Sequence, residues 1–432
     1  YDMTVLSRYG VRVNNLAFDT MLAAHLCGRK EISLKALALD CLNREMMPIS
    51  DLIGTGRTKI TMAQVPIEEA APYAATDADV TLQLRDIFVK EVEAKGAREA
   101  LETVEMPLVP VLVRMQANGV VLDSALLNGM SAELGDEMSR IEAEMYDVVG
   151  HQFNMNSSQQ LGDVLFKELR LPTTKRTQKG FSTDAFALEG LKHVLDQGEA
   201  EGVDPKARDV LDKILEYRQH AKIKSTYVDA LPTLVNQETG RIHTIYNQTG
   251  SATGRVSSNA PNVQNIPVRT DQGRRVRKAF VAQHAQGWML LAADYSQIEL
   301  RVLAHLSRDP GLLEAFRTGQ DIHGTTASAV YGVPVNDVVP GMRRIAKIMN
   351  FGVIYGLSPF GISQQTGLSP EDGKAFIDTY FSRYPGIRQY IESTKAQVRE
   401  SGYVQTITGR RRYIPEASSR NFHVRGSGER MA

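Results

Sequence analysis

Two stretches of this chain combine residue types at spacings that suit chemistry on a phosphate. In Met289-Leu290-Leu291-Ala292-Ala293-Asp294-Tyr295-Ser296-Gln297-Ile298-Glu299-Leu300-Arg301, one carboxylate follows an apolar run and precedes a polar-apolar helical pattern. A buried strand ending at Asp294 would aim its oxygens into a cleft, where a hard cation such as Mg²⁺ shares carboxylate, carbonyl and phosphate oxygens. The plainer alternative is that Asp294 caps the helix that follows. In the second stretch, Arg343, Lys347, Phe351 and Tyr355 recur every fourth residue, so a helix would present two cations and two rings on one side. Arg forks onto phosphate oxygens, Lys adds a point charge, and aromatic rings pack on sugar or base. For such a helix taken alone, a solvated basic face with two half-buried rings is the alternative.

The elements that must hold these groups follow from periodicity. Ile345, Ile348, Met349 and Gly352 fall at i, i+3, i+4 and i+7, which predicts the buried stripe of the Arg343 helix. Gly352 and Gly356 each cost a helix about 1 kcal/mol relative to Ala, so something is expected to approach closely there. Ile242 to Tyr246 and Trp288 to Ala293 read as strands, with helices resuming after Gln297, while Thr253-Gly254-Arg255 through Asn265-Ile266-Pro267 reads as a structured loop. Residues 124 to 230 carry long helical patterns, Ser124 to Val149 and Ala207 to Tyr217, separated by a loop at Pro172 to Thr183. Asn156-Ser157-Ser158-Gln159-Gln160 before Leu161 reads as a helix N-terminus. From Tyr1 to about Lys95, short apolar stretches such as Leu16-Ala17-Phe18 alternate with a helical pattern at Ala78 to Phe88. That texture predicts an α/β unit, with Pro66 and Pro72 flanking the turn before its last helix. Glu102 to Arg114 and Gly119-Val120-Val121 read as a junction of helix and extended chain.

A chain of 432 residues exceeds one compact core and predicts about two to four domains. Hydrophobic residues at 42% and charged residues at 23% exclude fibrous and disordered classes. Lys and Arg number 50, as do Asp and Glu, so any polyanion must be held by local patches rather than by the overall field. Cys27 and Cys41 lack zinc-type spacing, and so few thiols suit a reducing cytoplasm. There is neither a membrane-length apolar run nor a signal core, which points to a cytoplasmic location without membrane association. The start at Tyr1-Asp2-Met3 and the end at Glu429-Arg430-Met431-Ala432 lack an initiator and a cap, so both ends are expected to be cut.

Asp294-Tyr295-Ser296-Gln297-Ile298-Glu299 resembles motif A, and Arg343 to Gly356 resembles motif B, of the family A DNA polymerases. Further matches in the same order are Thr253-Gly254-Arg255-Val256-Ser257-Ser258, Pro261-Asn262-Val263-Gln264-Asn265-Ile266-Pro267, Asp321-Ile322-His323 and Gly409-Arg410-Arg411-Arg412-Tyr413-Ile414-Pro415. The resemblance covers essentially the whole chain. It implies an α/β and α+β multidomain fold: a partial ribonuclease H-like 3′-5′ exonuclease domain over 1–95, then a right-hand polymerase domain over 96–432. Within the latter, 124–235 would be the thumb, 236–308 the palm, 309–415 the fingers and 416–432 the start of a returning, incomplete palm.

By the same resemblance, Asp294 and the carbonyl of Tyr295 are ligands of a pair of Mg²⁺ ions. Arg343, Lys347 and His323 contact a deoxynucleoside triphosphate, Lys347 also as proton donor, with Gln297 among the nucleotide-binding residues. Glu299 closes the space of a ribose 2′-hydroxyl, Phe351 packs on the incoming sugar, and Tyr355 stacks near the template base. Arg255, Asn262, Gln264 and Arg430 contact primer-template DNA, and Arg269, Arg274, Arg275, Arg277, Lys278, Arg410, Arg411 and Arg412 are candidates for phosphate contact or for solvated surface. Tyr73 and Asp77 fit the exonuclease Tyr-x-x-x-Asp motif, and Asp2 the motif before it. The implied activity is template-directed DNA synthesis in replication and repair, by a monomer acting on primer-template and deoxynucleoside triphosphates. The competing readings are a 3′-5′ exonuclease and a non-catalytic DNA-binding fragment, and a single-subunit RNA polymerase is disfavoured by Glu299. The family's Asp-x-Glu before Asp2 and its His-Asp-Glu after Arg430 lie outside this sequence. Little or no nucleotide incorporation by this chain is therefore expected, together with an uncovered sheet edge.

Overall fold

A computed structural model describes residues 1–178, 180–198, 202–268, 270–283 and 287–432. Its contacts divide the chain into two compact units. Tyr1–Arg12, Pro110–Gly250 and Val256–Leu291 form the first, and Val13–Val109, Ser251–Arg255 and Ala292–Ala432 the second.

The first unit is organised around two long helices, Ser124–Val149 and Ala207–Ile223. Asp123 starts the former by accepting from the Leu126 amide, and Gly150 ends it in the left-handed region. Ile141, Met145, Leu161, Leu188, Val210 and Ile214 interlock in one core. Burying each such aliphatic side chain contributes about 1.5–3 kcal/mol, which outweighs the weak helix propensities of this polar sequence. A second core, including Leu122, Leu127, Met130, Tyr227 and Ile242, anchors a three-stranded antiparallel sheet. In that sheet Val120–Leu122 lies between Arg241–Ile242 and Phe280–Val281, with Val120 opposite Ile242 and Leu122 opposite Phe280. Ile245–Asn247 and Ser257–Asn259 form a separate hairpin. Ser157 caps Ser158–Asp163 as its sequence predicts, whereas the Pro172 to Thr183 loop contains a small hairpin, Arg176–Thr177 with Gly180–Phe181.

The second unit is mostly helical. Val80, Leu84, Phe88 and Val92 make a stripe on Ile67–Ala94 that packs on Leu22 and Leu37 of the helices Thr20–Leu26 and Leu34–Leu42. Pro72 lies inside Ile67–Ala94 rather than before it. As the sixth residue of the helix it has no amide to give the Glu68 carbonyl, and the helix continues through it for the cost of that bond. Among the described residues of 1–95 there is no strand. Leu16-Ala17-Phe18 runs without a ladder partner, and pairing partners are what a short apolar pattern cannot specify. The helices Ile298–Ser307, Pro310–Arg317, Ile322–Tyr331, Pro340–Ile354, Pro370–Arg383 and Pro385–Ser401 enclose another core, including Leu303, Leu312, Met349, Phe376, Tyr380 and Tyr384. Four of these helices begin with proline, where the missing amide costs nothing. The fully buried Asp309 joins two of them, accepting from Leu312 at 3.0 Å and from Gly386 at 2.9 Å. A hairpin, Tyr403–Gln405 with Arg411–Tyr413, and the helix Phe422–Met431 complete the unit.

Trp288 to Ala293 does not form the predicted buried strand. No described strand pairs with it, and Met289 and Leu291 are 84% and 93% exposed. An apolar run becomes a strand only when a neighbouring edge takes its backbone groups, and none does here. No helix among the described residues is long and apolar enough to cross a membrane.

Candidate functional site

Within the second unit, the Arg343 helix assembles most of the cationic and aromatic face that its spacing predicts. Arg343 lies one turn into Pro340–Ile354 and donates from Nε and Nη2 to both carboxylate oxygens of Asp321, at 2.6 and 3.1 Å. Asp321 also caps Ile322–Tyr331 by accepting from the His323 amide. The Arg343 guanidinium, above all, holds the Asp321 carboxyl below the usual carboxylate range. One turn further along, Lys347 is exposed, and Phe351 is half-buried with its ring 5.9 Å from that of His323.

His323 is only 4% exposed. Burial first, then the charge of Arg343, lowers its pKa from the ordinary histidine value, so the ring is neutral near pH 7. Its Nδ1 lies 2.9 Å from Asn350 Nδ2, an amide that can only donate, which assigns the ring proton to Nε2. Asn350 Oδ1 in turn accepts from Thr326 Oγ1 at 3.1 Å. The sequence reading missed Asn350, although a short amide in the middle of an apolar helical stripe signals a buried polar partner. The buried stripe is in fact Ala346, Met349, Asn350 and Val353, with Ile345, Ile348 and Gly352 half-buried, because the His323 helix packs toward Asn350.

The two glycines are explained within the chain. Gly356, at φ +66°, ends the helix: its amide bonds Val353 O, and that of Leu357 bonds Gly352 O at 2.8 Å. A Cβ on Gly352 would meet the Leu357 side chain at 2.8 Å. Tyr355 therefore sits at the helix terminus. Its phenol pKa is raised by burial and by the neighbouring Glu299 carboxylate. Glu299, in the first turn of Ile298–Ser307, also accepts from Arg255 Nη2 at 2.8 Å. Arg255, Glu299 and Tyr355 thus form a second cluster.

Asp294 and Tyr295 lie on the exposed segment that precedes Ile298–Ser307, outside any strand or helix, and Asp294 does not cap the next helix. That place belongs to Gln297, which adopts a left-handed φ of +51° and makes no capping bond. Asn262 and Gln264 lie in the first unit and brace their own loop. Ser258 Oγ and the Gln264 amide donate to Asn262 Oδ1, while the Gln264 side chain bonds Ser258 N and Val256 O. Arg274 and Arg275 pair with Asp271 and Glu133, and Arg269 lies outside the described residues. Of the three later arginines, Arg410 is mostly covered and pairs with the buried Glu105, Arg411 stacks on Tyr403 at 4.4 Å, and Arg412 donates to Met431 O. Arg430 projects from Phe422–Met431 and lines a cavity of about 490 Å³ together with Glu299, Leu357 and Tyr390. Tyr73 and Asp77 share one face of Ile67–Ala94, where Lys35 lies 5.9 Å from the Tyr73 ring, and Asp2 is exposed in the first turn of Asp2–Arg8.

Comparison with known proteins decides the kinship of this constellation. Residues 124–432 match DNA polymerase family A, and residues 1–93 match a 3′-5′ exonuclease family. The chain belongs to DNA polymerase family A. It is 45% identical to a DNA polymerase I of Pseudomonas aeruginosa over its whole length, which covers 46% of that protein. It is 46% identical to a DNA polymerase I of Chloroflexus aurantiacus, again over its whole length and 44% of the relative. The chain thus spans about half the length of the curated relatives it matches. Among solved structures it resembles the POL domain of Pol1 from M. smegmatis in complex with DNA primer-template and dNTP. The TM-score is 0.83 and the identity 38%, with 99% of this chain and 69% of that chain covered.

Polymerases of family A use divalent metal ions. The Asp294 carboxylate and the Tyr295 carbonyl are hard oxygen donors of the right kind. Among the described residues, however, no group of three His, Cys, Asp or Glu side chains comes together, and Glu299 is taken by Arg255. The residues present therefore do not suffice to hold two ions.

Proposed function

We propose that this chain supplies the nucleotide-binding and primer-template-binding core of a template-directed DNA polymerase of replication and repair. One observation carries the reading: Arg343, Lys347, His323 and Phe351 converge on one face of two packed helices. Arg343 and Lys347 bind the triphosphate, the former prepositioned by Asp321, and Lys347 holds a proton beside it. His323 presents its Nε2–H to the same anion, since Nδ1 is taken by Asn350. Phe351 packs on the sugar, Glu299 blocks a 2′-hydroxyl, Tyr355 stacks near the template base, and Gln297 lies beside the nucleotide. Arg255, Asn262, Gln264 and Arg430 contact the primer-template. Asp294 and the Tyr295 carbonyl would give Mg²⁺ two of its oxygen ligands, and the ion would supply charge neutralisation in phosphoryl transfer. The segment boundaries proposed are exonuclease region 1–95, thumb 124–235, palm 236–308, fingers 309–415 and returning palm 416–432. The protein is proposed to act as a monomer in the bacterial cytoplasm.

The test is the affinity of a fluorescent deoxynucleoside triphosphate for the chain bound to primer-template. Lys347→Ala should weaken it about tenfold or more, the loss expected for one charge-assisted contact, and Glu299→Ala should narrow the preference over the ribonucleotide. Unchanged affinity in both variants would overturn the assignment. The exposure of Asp294 and Tyr295 on a segment outside any strand favours a second reading, DNA binding without chemistry. Mg²⁺-dependent extension of a primer would exclude it.

A further inference from the structure

Arg410 is one of three consecutive arginines, yet its side chain is 12% exposed and paired with Glu105, itself 4% exposed. Glu105 ends the π-helical turn Leu101–Glu105, so a residue preceding the thumb region reaches one from the far hairpin. Leaving either charge buried alone would be costly, which makes the pair a fixed point rather than a surface accident. What it holds is the short loop Ser251–Arg255. Gly254 in that loop has φ +82°, and a Cβ there would lie 2.7 Å from Arg410 Nε and 2.9 Å from its Cζ. The loop backbone therefore rests directly on the guanidinium. His25 also bonds the loop, at the backbone of Ser251. Inside the loop the Gly254 amide bonds Ser251 O, and the Ser251 and Thr253 hydroxyls lie 2.7 Å apart. The next residue is Arg255, which reaches Glu299.

We infer that the Glu105–Arg410 pair is a positioning element: it acts through Gly254 to aim Arg255, and thereby sets the affinity for primer-template without touching DNA itself. The inference rests on the proposed role of Arg255. Arg410 and Glu105 fix the loop, Gly254 transmits their position because it alone leaves room for the guanidinium, and Arg255 delivers the contact.

The experiment measures binding of a labelled primer-template duplex to the full chain by fluorescence anisotropy. It uses Arg255→Ala, Glu105→Gln, Gly254→Ala and the doubles of the last two with Arg255→Ala. Expected is an affinity loss of about fivefold or more for each single variant, and no further loss when either is added to Arg255→Ala. A purely structural role would leave the losses multiplicative in the doubles, and that result overturns the inference. Should Glu105→Gln fail to fold, as its melting curve would reveal, Gly254→Ala carries the same comparison. Retention of wild-type affinity by both Glu105→Gln and Gly254→Ala also overturns it. If the unsubstituted chain and Arg255→Ala bind equally, the role proposed for Arg255 fails first, and the positioning argument falls with it.

Discussion

Replacing Asn350 by Ala removes the centre of a buried polar relay. In the native chain Asn350 donates to His323 Nδ1 at 2.9 Å and accepts from Thr326 Oγ1 at 3.1 Å, and the three residues are 1%, 4% and 1% exposed. The variant leaves Nδ1 unpaired where water does not reach. Thr326 keeps only a long contact, 3.4 Å, to the Tyr384 hydroxyl. An orphaned buried acceptor costs about 1–3 kcal/mol and the lost hydroxyl bond about 1 kcal/mol more, a total of about 2–4 kcal/mol. With two units in the chain, a single unfolding free energy is not defined. Native-state amide exchange along Pro340–Ile354 measures the local effect, and protection there should fall by the corresponding factor of about 30 to 1,000. Asn350→Asp sharpens the test through pH. In the parent, His323 has a lowered pKa, so its contribution is complete above the ordinary value of about 6.5 and is lost as pH falls. A carboxylate beside Nδ1 reverses the sign. It favours the imidazolium, so the Asp variant should approach the parent below about pH 6.5 and fall behind it as pH rises. Exchange in Asn350→Ala within about 0.5 kcal/mol of the parent, or no pH-dependent gap for Asn350→Asp, would refute the relay.

Gly356→Ala should lower stability by about 1–2 kcal/mol, the cost of a left-handed alanine. The added Cβ meets nothing closer than 3.7 Å, so the loss is conformational, and unchanged amide-exchange protection along Pro340–Ile354 would contradict that. Cys27, 2% exposed, has its thiol pushed up to about 11, chiefly by burial, while Cys41 is partly open. Alkylation near pH 8 should therefore mark Cys41 first by mass spectrometry, since the thiolate is the nucleophile. Equal rates would mean that the helix carrying Cys27 opens readily.

The helix from Ser124 to Val149, the helix start at Ser157 and the four-residue spacing of Arg343, Lys347 and Phe351 were all legible in the sequence. These features are local, since periodicity and capping act within a turn or two of the residue concerned. So was family membership, because the motifs that carry it are contiguous. Tertiary structure alone decided three other matters. Asp294 stands on an exposed segment, because a strand needs an edge to pair with and an apolar run does not name one. Arg410 is largely withdrawn from solvent, because a basic run reads as surface until a distant Glu105 is brought against one of its members. Asn350 lies in the stripe, because which side of a helix is innermost depends on the helix that packs on it, here the one carrying His323 and Thr326. In each case the deciding partner lies at least two dozen residues away or is missing from the contacts, and local pattern holds no information about it.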